Sequence, residues 1–383
     1  MKKQLQFNNY GTKTFQPFFG LLLLALILFL AQSAGAEQLR SIEDAKGRTL
    51  QIPENVERVI CSGPGALRLL TYLQAQERVV AVDSIEKRNP EVNLRPYAEA
   101  NPRFQELPMF GQHRGQDNPE LIAALDPQPQ VILRTYPEMG KDPDNTQQKT
   151  GIPVITMDYG NLTYEREELN ESLRLMGRVL GKKERAEEVI EYMNQLQEDL
   201  QERTADVSQE EAATAYIAGV ASRGTHGVRS TNPTYPPFRF LQVDNAASEL
   251  ASEDSPLSQA TVSQEKILSW DPEVIFLDTA SLHQEGMGNA LQQLRQDPAY
   301  RTLTAVQKGR VYGVFPYNFY TNNFESILAN SYYVGKVLYP DRFRDVEPME
   351  KAQEISEFLN GAPAFDSINS RLENPAFTRM EVD

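Results

Sequence analysis

Short apolar runs alternate with amphipathic stretches along most of the chain. Apolar residues at helical spacing after residue 66 and over residues 119–125 predict helices. Between them lie short apolar runs that predict strands, at residues 58–61, 78–82, 130–133 and 153–157. Strands that alternate with helices indicate βαβ units and a mainly parallel sheet. The polar segment before them, residues 38–53, predicts one further strand.

The same alternation returns in the second half of the chain. Strands are predicted at residues 214–217, 274–277 and 311–314, with strongly patterned helices at residues 263–270 and 324–338. The last 40 or so residues predict short helices and an acidic tail.

Two amphipathic helices separate these halves. The first ends at Gly181, and the second begins near Lys183 with apolar positions from Val189 to Leu200 on one face and glutamates on the other. At 1.5 Å per residue, about 20 residues span about 30 Å, which is a length that crosses a domain.

The pattern E-x-I-x-x-(apolar)-D-P, followed by a β-branched strand, occurs once in each half. Glu120 opens the copy ELIAALDP, and Glu265 opens the copy EKILSWDP. One copy in each α/β half predicts two lobes of like fold. We therefore expect an N-terminal lobe at residues 37–163, a helical segment at 164–207, a C-terminal lobe at 208–345 and a terminal region of short helices at 346–383.

The N-terminus has the features of a secretory signal peptide. Lysines precede an apolar run at residues 21–31, and Ala34-Gly35-Ala36 supplies a small-residue cleavage site. The run is short for a bilayer span, although an uncleaved anchor is the alternative. The pattern therefore predicts that residues 1–36 are removed and that the mature chain begins at Glu37 in the periplasm. Cleavage would also remove three lysines, which changes the net charge from −15 to −18.

Composition excludes several classes of protein. The chain has 38 Lys and Arg against 53 Asp and Glu, with no basic cluster, so we expect no nucleic-acid partner. Cys61 is the single cysteine, which excludes an intramolecular disulfide and a zinc site built on cysteine pairs; at the end of a strand it is predicted to be a buried apolar residue. The motifs H-E-x-x-H and G-x-S-x-G are absent, and we expect no enzyme activity.

Metal binding by the protein itself is not expected. His113, His226 and His283 are the only histidines and lie far apart, and a bare zinc or manganese ion would need nearly all of them to converge. A chelated metal needs fewer protein ligands, because the chelator supplies them. Its cleft would instead offer aromatic walls and cations for an anionic complex.

Candidate ligand residues are those in loops that follow strands, because ligands bind at the carboxyl ends of strands in open α/β sheets. Gly63-Pro64-Gly65 turns the first strand into a helix whose N-terminus suits an acidic ligand group, although Arg68 replaces the third glycine of a dinucleotide fingerprint. The side-chain candidates are Gln112, His113, Arg114, Arg134, Tyr136, Tyr159, Arg223, His226, Arg229, Tyr235, Tyr317 and Asn318, with Phe238 and Tyr320 beside them.

Four segments carry a family resemblance: the opening RVICSGPGALRLL, the two E-x-I-x-x-x-D-P copies, and the closing YGVFPYNFYTNNFESILANSYYVGKVLYPDRF. Over essentially all of the mature chain, the sequence resembles the substrate-binding proteins of bacterial iron-complex and vitamin B12 ABC importers. The resemblance implies an α/β fold of two Rossmann-like lobes with mainly parallel sheets, joined by one long α-helix, with a metal chelate held between the lobes.

The resemblance also implies a function. We expect a monomeric periplasmic binding protein that captures a metal chelate, foremost a ferric siderophore, and delivers it to a dimeric inner-membrane ABC permease. Cobalamin or another corrinoid is the alternative ligand and haem the third; a secreted enzyme on the same scaffold is the alternative class.

Glu120 and Glu265 are candidates for docking to the permease. Both stand at the start of a predicted helix, where a carboxylate is favoured by about 0.3–1 kcal/mol without any partner. Because the two lobes carry them in matching positions, the resemblance implies that each glutamate meets a basic pocket on one permease subunit.

Overall fold

A computed structural model describes residues 38–208, 212–221, 226–283 and 288–382, together with Met1, Gln4 and Gly224. Apart from Met1 and Gln4, the predicted signal peptide lies outside the described residues. So do the predicted mature N-terminus, Glu37, and the candidate ligand residue Arg223.

The continuous part of the chain that the structure describes begins with an antiparallel hairpin of β1 (Leu39–Glu43) and β2 (Thr49–Pro53). The prediction of one strand over residues 38–53 was therefore wrong. The polar residues between the strands form a turn, in which the Asp44 carboxylate accepts the N–H groups of Lys46 and Arg48 at 3.1 and 3.0 Å. Gly47, with φ of 72°, supplies the left-handed residue of this turn.

The first lobe contains a six-stranded sheet in the order β6–β5–β4–β3–β7–β8, parallel except for β6. Its strands are β3 (Val59–Ser62), β4 (Val79–Asp83), β5 (Met109–Gln112), β6 (Gln116–Asp117), β7 (Val131–Thr135) and β8 (Val154–Met157). The four predicted strands are confirmed, and every residue of β3, β7 and β8 is buried, as expected for a covered parallel sheet. The pair β5 and β6 was not predicted, because it is short and lacks an apolar run.

Four helices belong to this lobe: α1 (Ala66–Tyr72), α2 (Pro96–Ala100), α3 (Pro119–Ala123) and α4 (Pro143–Thr150). The Asn118 side chain accepts the N–H groups of Glu120 and Leu121, and Pro119 fills the first position of α3. This cap fixes the start of the helix that carries Glu120.

Two helices then connect the lobes, α5 (Arg166–Leu180) and α6 (Lys183–Thr204). Gly181 ends α5 in the left-handed conformation, with φ of 63°. The helix α6 has 22 residues and buries Val189, Met193, Leu196 and Leu200, which confirms the long amphipathic helix.

The second lobe contains a four-stranded parallel sheet in the order β11–β9–β13–β14. Its strands are β9 (Thr214–Ala218), β11 (Asp244–Asn245), β13 (Val274–Asp278) and β14 (Val311–Val314), and a small antiparallel pair joins β10 (Ser230–Thr231) to β12 (Ala260–Thr261). Among its described residues, four α-helices accompany them: α7 (Pro236–Phe240), α8 (Gln264–Trp270), α9 (Ala290–Gln296) and α10 (Thr304–Gln307). The three predicted strands are confirmed.

Three helices close the chain: α11 (Phe324–Leu338), α12 (Pro348–Asn360) and α13 (Phe365–Arg371). The expected acidic tail instead pairs with the edge of β14, where Met380 N–H donates to the Val311 carbonyl at 2.8 Å and Gly313 N–H donates to that of Thr378 at 3.0 Å. Met380 and Val382 are buried against the sheet, so these residues are part of the second lobe.

One cluster of buried apolar side chains runs through both lobes. It includes Val59 and Leu133 of the first sheet, Ile217 and Phe276 of the second, and residues of α6 and α11, among them Met193. The lobes are thus joined by continuous packing as well as by the chain. Within the part of the chain that is described, every helix is too short or too polar to cross a membrane.

Candidate functional site

A loop of the second lobe crosses to the first lobe. This crossing loop, residues 315–323, follows β14 and contacts groups at or just after the carboxyl ends of β4, β5, β7 and β8 in the first sheet. We define the inter-lobe site by residues of the crossing loop and of the first-lobe loops beside it: Arg88, His113, Arg114, Tyr136, Asn318, Phe319, Tyr320 and Thr321. The candidate Gln112 is the last residue of β5 and lines a groove beside Glu120 instead.

Tyr320 contacts three groups of the first lobe. Its hydroxyl donates to Oδ2 of Asp83 at 2.7 Å and accepts the Arg114 N–H at 2.9 Å. Its ring packs edge to face with His113, with 6.1 Å between the ring centroids. Burial raises the pKa of Asp83 to about 7, although the hydrogen bond from Tyr320 opposes this shift.

The positive charges of Arg114, the next residue in the chain, and of Arg88, on another loop, act on the imidazole of His113. The His113 N–H donates to the Ser84 hydroxyl at 2.9 Å, and burial, followed by the charges of Arg114 and Arg88, lowers the pKa of the imidazole. The Arg88 guanidinium lies over the Phe319 ring, 5.6 Å from its centroid. Both arginines are exposed, and neither forms an ion pair with a carboxylate among the described residues.

The rest of the crossing loop is held by polar contacts. The Thr321 hydroxyl lies 2.8 Å from that of Tyr136, whose half-buried ring stacks on Tyr159 at 5.8 Å between centroids. Asn318 donates from Nδ2 to the Ala221 carbonyl at 2.7 Å, which anchors the loop to its own lobe. The loop therefore bridges the two sheets.

A buried arginine joins the lobes beneath this loop. Arg68 on α1 is fully buried and donates to the Asn322 carbonyl at 2.7 Å, to Oδ1 of Asn323 at 2.6 Å and to the Tyr159 hydroxyl. Its Nε lies 3.9 Å from Oε1 of Glu325 on α11. The residue that interrupts the dinucleotide fingerprint is thus an inter-lobe contact.

Arg134 has its charge neutralised inside the first lobe. It is fully buried, forms an ion pair with Oδ2 of Asp117 at 2.6 Å, and donates to the Ser62 hydroxyl at 3.0 Å. Its guanidinium packs against Gly115, where a Cβ atom would come within 2.2 Å of Nη2. We therefore leave Arg134 out of the inter-lobe site.

Three of the candidate tyrosines also lie in the interior. Tyr159, Tyr235 and Tyr317 are 3%, 0% and 2% exposed. The Tyr317 hydroxyl accepts a hydrogen bond from Asn232 at 2.8 Å, and burial raises the pKa of all three phenols. They do follow strands, but their rings point into the core, so they do not form the expected aromatic wall.

The remaining second-lobe candidates are Arg229, His226 and Phe238, while Arg223 lies outside the described residues. Arg229 is exposed and donates to the Val262 carbonyl at 2.7 Å. Its charge acts on Glu265, whose pKa is lowered first by its own backbone N–H and the Ser263 hydroxyl and then by Arg229. His226 is exposed, and the side chain of His283 lies outside the description. The buried Phe238 packs on Phe276, with 5.7 Å between centroids. Among the described residues, no three His, Cys, Asp or Glu side chains could hold a metal ion together.

Sequence reasoning missed several residues of the site. Asp83 and Ser84 come directly after the predicted strand at 78–82, and Arg88 follows within six residues, so the rule of strand carboxyl ends would have pointed to this loop if applied there. Phe319 and Thr321 stand beside Asn318 and Tyr320, which were chosen. Their contacts depend on how the crossing loop turns, and no pattern in the sequence predicts that turn.

Glu120 and Glu265 hold the same place in their helices. Each is the second residue of its helix, α3 or α8, and each is exposed. A groove of about 590 Å³ lies beside Glu120 and is lined on other sides by Leu121, Lys141 and Lys149. The pKa of Glu265 is lowered mainly by its own backbone N–H and by the Ser263 hydroxyl.

Comparison with known proteins gives consistent matches. A family model described as "Periplasmic binding protein" matches residues 59–316. The molybdate-binding protein MolA of Haemophilus influenzae is 24% identical over 347 residues, which cover 85% of this chain and 92% of MolA.

Solved structures show the same fold. A periplasmic solute-binding protein from Veillonella parvula has a TM-score of 0.66 at 18% identity, over 88% of this chain and 99% of that one. The structure of Haemophilus influenzae MolA bound to molybdate has a TM-score of 0.63 at 20% identity, over 85% of this chain and 98% of that one.

Proposed function

The chain belongs to the periplasmic binding protein family, and from that premise we propose that it captures an anionic metal species and delivers it to the permease of an ABC importer. Binding proteins of this class work with ABC permeases and bind small ligands. The mature chain would begin at Glu37 in the periplasm and act as a monomer. No protein-held cofactor is part of this proposal.

The observation that carries the proposal is the pair of exposed arginines in the inter-lobe site. The chain has a net charge of −15, yet Arg88 and Arg114 meet no carboxylate among the described residues. An unpaired guanidinium binds oxyanions through several N–H groups in a fixed plane. Placed where the two lobes meet, this pair gives the site its selectivity for negative charge.

The size of the described site favours a compact anion. Tyr159, Tyr235 and Tyr317 are buried, so the aromatic surface that a broad aryl chelate would cover is small. MolA, which shares most of the length of this chain, is named as a molybdate-binding protein. A metal oxyanion such as molybdate is therefore our first candidate.

A ferric siderophore, which the sequence suggested, is the second candidate. Tyr136, Phe319 and Tyr320 remain half-exposed in the inter-lobe site and could contact one arm of an anionic chelate. Corrinoids and haem need a wider apolar surface than these three rings provide, so we rank them below the siderophore.

Calorimetric titration of the mature chain tests the ligand class. The panel consists of molybdate, tungstate, sulfate, a ferric tris-catecholate, a ferric hydroxamate, hemin and cyanocobalamin. We expect molybdate to bind with a Kd of about 1 μM or tighter, and the double variant R88Q/R114Q to weaken that binding at least about tenfold, since each charge-assisted contact contributes about 1.5–3 kcal/mol.

The matched control is R301Q/R344Q, which removes two exposed arginines outside the inter-lobe site. It loses the same charge and should keep the affinity of the parent chain. Tight binding of hemin or cyanocobalamin without any anion binding would contradict the proposal, and so would equal affinities of the two double variants.

Glu120 and Glu265 are the residues that we propose for docking. They are exposed at matching helix starts on the two lobes, and neither belongs to the inter-lobe site. A dimeric permease would offer each lobe the same surface, so that each glutamate meets the equivalent basic pocket. Continuous packing of the lobes around α6 and α11 favours limited closure on ligand binding.

A further inference from the structure

Two strained turn tips meet in the inter-lobe site. On the crossing loop, Tyr320 and Thr321 have φ values of 53° and 72°; on the loop between β5 and β6, Arg114 and Gly115 have 60° and 68°. This region favours glycine, and three of these residues carry side chains that disfavour it. Such conformations persist only where surrounding contacts impose them, and they concentrate at functional positions.

The contact that joins the two tips is the Tyr320 hydroxyl. It accepts the backbone N–H of Arg114 at 2.9 Å and donates its own proton to Asp83 at 2.7 Å. The only hydrogen that the hydroxyl can donate is therefore hydrogen-bonded to a buried carboxylate of the first lobe. The Ser84 hydroxyl accepts the backbone N–H of the preceding residue, His113, at 2.9 Å.

We propose that Tyr320 is a positioning residue, through which the second lobe sets the direction of the Arg114 side chain and so the anion affinity of the site. This inference rests on the proposed function, because it assumes that Arg114 contacts the anion. A shift of the second lobe moves Tyr320, releases the Arg114 N–H and lets the strained turn relax. Lobe arrangement and ligand affinity are thus coupled through one hydroxyl group.

The variant Y320F tests this proposal, because it removes the hydroxyl and keeps the ring against His113. The first readout needs no ligand and is hydrogen–deuterium exchange of the Arg114 amide, which should become faster at least about fivefold once its hydrogen bond is lost. The control is Y312F on β14. The Tyr312 ring packs on Phe276, and its hydroxyl makes no hydrogen bond to any described residue.

The second readout is a double-mutant cycle with molybdate as the probe. We expect Y320F to weaken molybdate binding about fivefold to tenfold in the parent chain. In an R114Q background the same substitution should have less than a twofold effect, because the group that it positions is gone. Thermal unfolding should change alike in both backgrounds, which separates positioning from stability.

The outcomes distinguish this inference from the proposed function. Unchanged exchange of the Arg114 amide in Y320F would overturn the inference, as would an equal loss of molybdate affinity in the R114Q background. If the parent chain fails to bind molybdate while Y320F still accelerates exchange at Arg114, the proposed ligand is wrong and the positioning of the turn is supported.

Discussion

The two lobes carry the same helix–Asp-Pro–strand segment but place it in different surroundings. In both copies a glutamate is the second residue of the helix, an isoleucine is buried beneath it, and a buried strand follows. In the first lobe the segment borders a groove with Lys141 and Lys149. In the second lobe Arg229 is near Glu265. The repeat thus specifies the position of the glutamate, while neighbouring loops decide the charges around it.

The aspartates of the two copies differ even more. Asp126 in the first lobe is exposed, with no hydrogen bond from its side chain to any described residue. Asp271 adopts φ of 42° and accepts both the N–H and the hydroxyl of Thr304 at 2.7 Å, which caps α10. The same aspartate of the motif is therefore an exposed residue of a connecting segment in the first lobe and a hydrogen-bonding residue that caps a helix in the second.

The largest expected effect is a loss of transport when the glutamate that both copies share is removed. The variant E120A/E265A should lower ligand uptake, or ATPase stimulation of the reconstituted permease, at least about tenfold, since each lost glutamate removes a charge-assisted contact. Ligand affinity and thermal unfolding should stay within error, because both carboxylates are exposed and outside the inter-lobe site. Docking of the parent chain to the permease should itself weaken as the salt concentration is raised, because salt screens the interaction between charges.

A matched control uses glutamates in the first turns of other helices. E184A/E350A removes two exposed carboxylates from the first turns of α6 and α12, with the same change of charge. It should transport normally. Normal transport by E120A/E265A would leave only the helix-start explanation for both residues, and a loss in one single variant alone would show that the lobes dock unequally.

Particular residues show how far the sequence could lead. Strands were predicted at residues 58–61, 130–133 and 311–314, and the structure has them at 59–62, 131–135 and 311–314, because buried parallel strands are continuous apolar runs. The orientation of loop side chains could not be predicted in this way: Tyr317 and Tyr320 follow the same strand, yet one is buried in its own lobe and the other reaches Asp83. That difference arises from the turn at residues 318–322, which depends on contacts with the other lobe.

The next effect is the pH dependence of stability, to which one buried aspartate in each lobe contributes. Asp83 ends β4 and reaches the other lobe through Tyr320, whereas Asp278 ends β13 and accepts the N–H of Ala280 at 3.0 Å within its own lobe. Burial raises the pKa of Asp83 to about 7 and that of Asp278 to about 8. Each carboxyl therefore binds its proton more tightly in the folded chain than in the unfolded chain.

The sign of the pH dependence follows from these shifts. The stabilisation is fully present below the unfolded pKa near 4 and is lost as the pH rises through 7 to 8. Chemical unfolding at pH 5 and pH 8 should show that D83N removes about 3 kcal/mol, and D278N about 4 kcal/mol, of the gain on acidification. About two and about three pH units of this range lie below the folded pKa values of Asp83 and Asp278, and each unit corresponds to about 1.4 kcal/mol. A parent-like slope in either variant would contradict the assignment for that residue. Only D83N should also change exchange at the Arg114 amide.

The smallest effect tests the divergence of the repeat itself. D271A removes both hydrogen bonds to Thr304 and places alanine at a left-handed position, so it should lower the free energy of unfolding by about 1–2 kcal/mol. D126A, the matched change in the first lobe, should stay within about 0.5 kcal/mol, because Asp126 is exposed and makes no such contact. Urea unfolding of the two variants measures the difference. Equal losses would mean that the aspartate has one structural role common to both lobes, and that the Thr304 cap contributes little to it.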